Sequence, residues 1–368
     1  MKIATITCHR VYNHGAVLQA WALATFLKQL GHDVNIIDYR PDYLRGQFAL
    51  KVNNPRFDKP VLRQLYLLAK YFSWKKSLAR KAAFDSFDDK VIAPLVTDHC
   101  YLSKEELKQN PPIADLYIAG SDQIWNTTFK NGTDSSFYLD FGKEDAKRIS
   151  YAASFATSSL KEGTEDFVKS KLACLDTISV REPSGVKLAA SMGYDATLVC
   201  DPVFLVSADT WANKIATKDG EDEKYVLVYD FMCSEEVRKV ATKIANDKGL
   251  KIFSVGPYRL EYADKCFVNN GPDSFVALVK NATCVVSNSF HATAFSFIFN
   301  KNMFVVKRSD GLNTRMQDLL GRYGIIDHLV NSVSINELGD RFEIDYEKVN
   351  PILQKEIEES KLWLKNQL

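Results

Sequence analysis

The sequence lacks the usual marks of a membrane protein, a disulfide scaffold or a metal site. No apolar run approaches the ~20 residues that a membrane-spanning helix needs. Seven cysteines are scattered along the chain with no CxxC pair and no close Cys/His cluster, which argues against a disulfide framework and a structural zinc. Neither sign of charge dominates: 47 Lys and Arg face 46 Asp and Glu, a net charge of +1. No global field therefore draws nucleic acid, and any affinity for anions must be local. There is no GxGxxG fingerprint, no internal repeat and no low-complexity tract. No signal-peptide architecture precedes the first β-pattern, so a cytoplasmic location is expected.

What is present is ordinary globular composition in a chain of 368 residues with 46% apolar content, a length that suits two domains. Short β-rich runs alternate with helical patterns. Lys2–Cys8, Val34–Tyr39, Leu116–Ala119, Ile149–Ala153 and Thr177–Val180 are expected strands, and Ala16–Leu30 is a helix stopped by Gly31. After Asp201-Pro202 the pattern restarts at Tyr225–Tyr229 and continues through Ile252–Val255, Cys284–Val286 and Met303–Val306. Buried strands separated by helices imply parallel sheets with right-handed crossovers. The fold class expected is α/β, with two doubly wound, Rossmann-like domains in a GT-B-like series. Residues 1–205 form the first domain, with a helical insertion at about 51–110. Residues 206–341 form the second, and 342–368 a C-terminal helix that crosses back.

In such sheets ligands bind beyond the carboxyl ends of the strands, so residues just after strands carry the interest. Asn13-His14-Gly15 opens a helix where free N–H groups could meet an anion or a sugar; it is equally an ordinary βα turn capped by Asn13 or His14. In Gly120-Ser121-Asp122-Gln123-Ile124-Trp125-Asn126, Gly120 permits a tight exit from the strand. The donors, acceptors and flat ring crowded behind it suit sugar hydroxyls, with Trp125 as a core anchor the plain alternative. Arg181 directly follows a buried strand and precedes Glu182-Pro183. Its guanidinium suits a carboxylate or phosphate, unless it serves a local pair with Glu182 or an interdomain salt bridge. His291 lies in the first turn of a helix behind Ser287, Asn288 and Ser289, and of the six histidines it is the best placed for acid–base work. Lys307, Arg308 and Arg315 follow a later strand and could add positive charge, although a solvated loop is the plainer reading of Lys307 and Arg308.

From Lys59 to Ala83 there is no acidic residue, yet Lys59, Arg63, Lys70, Lys75, Lys76, Arg80 and Lys81 occur. One helix through this stretch would bury Leu62, Leu65, Ala69 and Phe72 and present Leu67 and Trp74 among basic residues. A peripheral membrane contact through 59–83 is one reading; cover by another domain or subunit, including a homo-oligomer partner, is the other.

Together these segments resemble the polysaccharide pyruvyl transferase family. The resemblance rests on Asn13–Ala20, Gly31-His32-Asp33, Ile37–Arg40, Gly120–Asn126, Ile149–Phe155, Ser179-Val180-Arg181-Glu182, Asp201-Pro202 and Ser289–Phe295, in order from residue 1 to about 325. It implies a GT-B-like fold and transfer of pyruvate from phosphoenolpyruvate to a sugar as a ketal, with no cofactor and no metal. The acceptor would be a sugar of a polysaccharide or of a lipid-linked precursor. The family arginine at the end of a Ser-Val-Arg strand corresponds to Arg181. Its Arg-x-His motif stands here as Ser289-Phe290-His291, so the histidine is kept, the arginine is serine, and Arg315 or Lys307 is the candidate replacement. His291 would then be the general acid or hold the phosphate, and Asp122 or Glu182 could accept a hydroxyl proton. The competing readings are a GT-B glycosyltransferase with a nucleotide-sugar donor and a catalytically silent anion- or sugar-binding module.

Overall fold

The computed structural model describes residues 1–45, 60–308, 313–331, 338 and 341–368. Two parallel sheets carry the architecture. The first joins β1 (Lys2–Ile6), β2 (Asp33–Tyr39), β3 (Val96–Tyr101), β4 (Leu116–Ala119) and β5 (Lys147–Ser150) in the order β3-β2-β1-β4-β5. It is extended by β6 (Ile178–Val180) and β7 (Ala196–Leu198), a parallel pair linked to the β5 segment by single bridges at Ile149–Thr177 and Ala153–Val180. The second comprises β8 (Tyr225–Tyr229), β9 (Lys251–Val255), β10 (Lys265–Phe267), β11 (Cys284–Ser287), β12 (Asn302–Val306) and β13 (Leu329–Val330). Its order is β10-β9-β8-β11-β12-β13. Each sheet thus reverses its winding beside its first strand, between β1 and β4 and between β8 and β11. These switch points are where doubly wound sheets bind ligands.

The central strands are buried on both faces, as Tyr225–Tyr229 and Leu116–Ala119 are along their whole length, because helices cover both sides of each sheet. The helix His14–Gln29 begins where Asn13 Oδ1 accepts from the Gly15 and Ala16 N–H groups, satisfying two otherwise orphaned donors. Its sequence is apolar almost all round, and such a helix must be covered on every side. Sheet one packs on one face. On the other, Trp21 meets Trp211 at 4.8 Å and His14 stacks on Phe275 at 5.0 Å. Trp211 in turn meets Phe295 edge-on at 4.9 Å, so one apolar cluster runs through both sheets' layers.

The last helix, Tyr346–Lys365, returns to the first sheet. Ser360 Oγ accepts from the Cys200 N–H at 2.9 Å, and Gln367 receives Lys147 and Thr177. The segment 51–110 corrects the expectation of a helical insertion. A helix does run from Pro60 to Phe87, but Val96–Tyr101 is the edge strand of sheet one, paired with β2. Arg80, one of the basic residues counted in that stretch, is buried, with its guanidinium 4.8 Å from the Phe84 ring centre. Lys59 lies outside the described residues, as do the side chains of Leu62, Leu65, Leu67, Ala69 and Phe72. Among the described residues no helix is long and apolar enough to cross a membrane.

Candidate functional site

The switch points of the two sheets face one another, and the side chains behind β1, β4, β6, β8 and β11 meet between them. At the centre stands Asp201, completely buried. Its Oδ1 accepts from the Val203 N–H and so caps the turn Pro202–Leu205. Its Oδ2 takes three partners: Arg181 Nη1 at 2.6 Å, Ser121 Oγ at 3.2 Å and His291 Nε2 at 3.7 Å. Burial alone would raise this carboxyl, but the His291 imidazole and the Arg181 guanidinium outweigh it and hold it below the ordinary range. Asp201 is the residue sequence reasoning missed; the signal available was the Asp201-Pro202 pair directly after a short strand.

Arg181 is 2% exposed and has two further carboxylates nearby, Asp122 at 3.7 Å and Glu182 at 3.8 Å. Burial lowers its pKa and the three carboxylates raise it, with a net shift upward. Its Nε and Nη2 still lack hydrogen-bond partners, as does His291 Nε2. Glu182 Oε1 is saturated by Ser154 Oγ and the N–H groups of Phe155 and Ala156, while its Oε2 faces Arg181 Nε without a hydrogen bond. The Arg181 guanidinium lies 4.3 Å from the centre of the Phe290 ring, and that of the half-buried Arg315 lies 5.9 Å from the same ring. Burial, then the charge of Arg181, pushes Arg315 down to about 10. Two like charges thus lie near one aromatic ring, and Arg181 keeps unmet donors, an arrangement that an anion would relieve.

The expected site residues divide into three groups. Arg181, Glu182, Asp122, Ser121, His291 and Arg315 come together around Asp201. Gly15 joins them through shape: a Cβ there would fall 1.9 Å from His291 Nδ1, so the imidazole rests on the bare backbone of the helix start. Gly120 is similarly close to Thr7, where a Cβ would lie 3.2 Å from the Thr7 Cβ. Asn13, Asp122 and Gln123 line a cleft of about 480 Å³ beside this centre, with Asn131 from the following loop and Phe231 and Tyr258 from the second sheet's loops. Asp122 holds a left-handed backbone, φ 70°, which keeps its carboxylate between the cleft and Arg181.

The third group is structural. Trp125 is fully buried, stacks on Tyr138 at 5.3 Å and donates to the Phe137 carbonyl, so it is a core anchor and no sugar platform. Asn126 closes a local turn by accepting from Thr128. His14 is fully buried, with Nδ1 2.9 Å from the Tyr229 hydroxyl and its ring against Phe84 and Phe275. It joins the two halves of the molecule and does not reach the cleft. Asn288 donates to Asp230 at 2.7 Å, and Ser289, at the cap of the His291 helix, offers no side-chain hydrogen bond to it. Lys307 is exposed. Among the described residues no three His, Cys, Asp or Glu side chains are grouped to hold a metal ion.

Solved structures of the same shape confirm the class. The chain superposes on a candidate UDP-N-acetylglucosamine 2-epimerase from Listeria monocytogenes with a TM-score of 0.52 at 9% identity, covering 96% of this chain and 90% of that one. MnaA of S. aureus in complex with UDP aligns with a TM-score of 0.50 at 11% identity, over 95% and 90% of the two chains. The protein therefore has the GT-B fold, two Rossmann-like units with a cleft between their switch points. No protein of curated function matches it in sequence. The family model described as polysaccharide pyruvyl transferase matches residues 13–310, and the chain belongs to that family.

Proposed function

We propose that the protein transfers the pyruvyl group of phosphoenolpyruvate to two hydroxyls of a sugar, as a cyclic ketal, on a polysaccharide or lipid-linked precursor. The observation that carries this reading is the pair Arg181 and Arg315, both near the Phe290 ring, next to His291. The donor has a carboxylate and a phosphate, and two neighbouring guanidiniums, that of Arg181 with unmet N–H groups, are its complement. Arg315 fills the part of the arginine for which this chain has Ser289. Protonated His291 delivers its proton to the methylene carbon of the enol, leaving an oxocarbenium-like carbon. One sugar hydroxyl bonds to that carbon and gives its proton to Asp122. The carbon–oxygen bond to phosphate then breaks, and the second hydroxyl bonds to the carbon and closes the ring, its proton passing to the His291 imidazole that the first step left neutral. The two guanidiniums stabilise charge on the departing phosphate. On this reading the protein acts in the cytoplasm, on the side of the membrane where its donor is made.

The test is phosphorus NMR of the protein with phosphoenolpyruvate and a panel of sugar acceptors, alongside nucleotide-sugars. Inorganic phosphate should appear only with phosphoenolpyruvate and an acceptor. Replacing His291 by Ala should slow it by ~10²-fold or more, and Arg315→Ala should weaken donor binding. Consumption of a nucleotide-sugar instead, or near-normal turnover in His291→Ala, would sink the proposal.

A further inference from the structure

Among the described residues two arginines are buried, Arg181 and Arg80, and their surroundings differ sharply. Arg181 has Asp201, Asp122 and Glu182 about it. Arg80, 6% exposed, has no carboxylate partner among the described residues: burial lowers its pKa, and only the Tyr229 hydroxyl works the other way. Acids nearby in the sequence are committed elsewhere, Asp85 to Lys81 and the Tyr12 hydroxyl, and Asp88 to Arg10. The Arg80 Nη2 makes one long contact, 3.5 Å to the Tyr12 carbonyl, and its Nη1 has no hydrogen-bond partner.

A guanidinium cannot shed its proton to escape burial, and a buried charge without a counter-charge is costly. The chain bears that cost at a position that lines the 480 Å³ cleft, where a bound anion would offset it. The rest of the lining indicates what carries the anion. Asn13, Gln123 and Asn131 bring amide side chains from the first half. Phe129 from the same half and Tyr258 from the second line the cleft while 57% and 49% exposed. Open aromatic rings beside amides suit a ligand with apolar C–H faces and hydroxyl edges, as a sugar has.

We infer that Arg80 receives an anionic group, a carboxylate or a phosphate, carried by the acceptor sugar in this cleft. The acceptor unit is therefore acidic. The inference rests on the pyruvyl-transfer reading for the sugar's role as acceptor, but not for the anion site itself.

The experiment is titration of the full-length protein with glucuronate, glucose 6-phosphate and glucose, with phosphoenolpyruvate affinity measured on the same preparation. At least one of the two anionic sugars should bind about tenfold or more tightly than glucose. The better of the two tells whether the partner of Arg80 is a carboxylate or a phosphate. Arg80→Met keeps the apolar stem and removes the charge, and should erase that advantage. Should Arg80→Met fold poorly, Arg80→Lys, which keeps the charge, should still prefer the anionic sugar. Equal binding of glucose, an advantage undiminished in Arg80→Met, no preference in Arg80→Lys, or no binding of either anionic sugar would overturn the assignment. A fall in phosphoenolpyruvate affinity in Arg80→Met would move Arg80 to the donor site and overturn it as well. Acidic-sugar binding that depends on Arg80, in a protein without phosphoenolpyruvate affinity, would remove the donor and leave the anion site standing. Full-rate pyruvyl transfer to an uncharged acceptor would do the reverse.

Discussion

At the scale of single residues the site turns on Asp201, which touches groups from both halves of the molecule. It holds the Arg181 guanidinium at 2.6 Å and lies 3.7 Å from His291, so it orients one and supplies a negative charge to the other. Asp201→Asn keeps the size and one acceptor but removes the charge. Arg181 retains Asp122 and Glu182 nearby, so the buried cation is not left alone, a fate that costs ~3–5 kcal/mol. Turnover should fall on the order of 10²-fold. Unchanged turnover in Asp201→Asn would make Asp201 purely structural. Gly15 supports the same imidazole differently. Ala at a helix start is favoured over Gly by up to ~1 kcal/mol, yet here its methyl would occupy the place of the His291 ring. Gly15→Ala should therefore depress kcat about as much as His291→Ala while the unfolding midpoint moves by no more than a few degrees. A fully active Gly15→Ala protein would refute the contact.

Elements show why the two halves behave as one body. Trp211, on the short helix Ala208–Lys214, is wholly buried between Trp21 from the first half and Phe295 from the second, and its indole N–H donates to the Val203 carbonyl at 3.0 Å. Truncation to Ala removes a large apolar surface and leaves both a cavity and an unsatisfied carbonyl, at ~3–5 kcal/mol. Because the cluster is shared, urea should still unfold Trp211→Ala in one transition at a lower midpoint; two separated transitions would show the halves to be independent. The same elements show what was legible beforehand. Long apolar runs such as those of β1, β4, β8 and β12, and the Asn13–Gly15 helix start, follow from local chemistry, and so do Arg181 and His291 behind their strands. β3 was not legible, because Val-Thr-Asp-His-Cys-Tyr is a half-exposed edge strand without apolar alternation. Trp125 and His14 misled because their burial depends on Tyr138, Phe84 and Phe275, which the fold brings from elsewhere in the chain. Asp201 stood out in the sequence only through the Asp201-Pro202 pair; its partnership with His291 exists only in three dimensions.

The molecule as a whole carries its histidines in a way that fixes how stability depends on pH. His9, His14 and His328 are buried, and each is held below its ordinary pKa, His9 at about 4. Burial is the chief cause in all three, reinforced by Arg10 at His9 and by Arg80 at His14. In the unfolded chain they titrate near 6.5. Above that pH neither state binds the protons and stability is flat. Below it the unfolded chain takes up protons that the folded one refuses, so stability falls as pH falls, by about 1.4 kcal/mol per unit for each such histidine. For His9 the loss runs from about 6.5 down to about 4. Below that, Asp201, whose folded pKa is depressed, adds a further loss as its carboxylate is protonated. Urea midpoints should therefore be level from pH 7 to 8.5 and drop steadily from pH 7 to 5. His14→Phe tests the assignment: the ring still packs between Phe84 and Phe275, at the cost of the Tyr229 hydrogen bond. Its stability at pH 8 should be somewhat lower than wild type, but its decline towards pH 5 should be shallower by one histidine's share. A wild-type midpoint that stays level or rises on acidification, or a His14→Phe decline as steep as wild type, would show that His14 is not held neutral at the junction of the two halves.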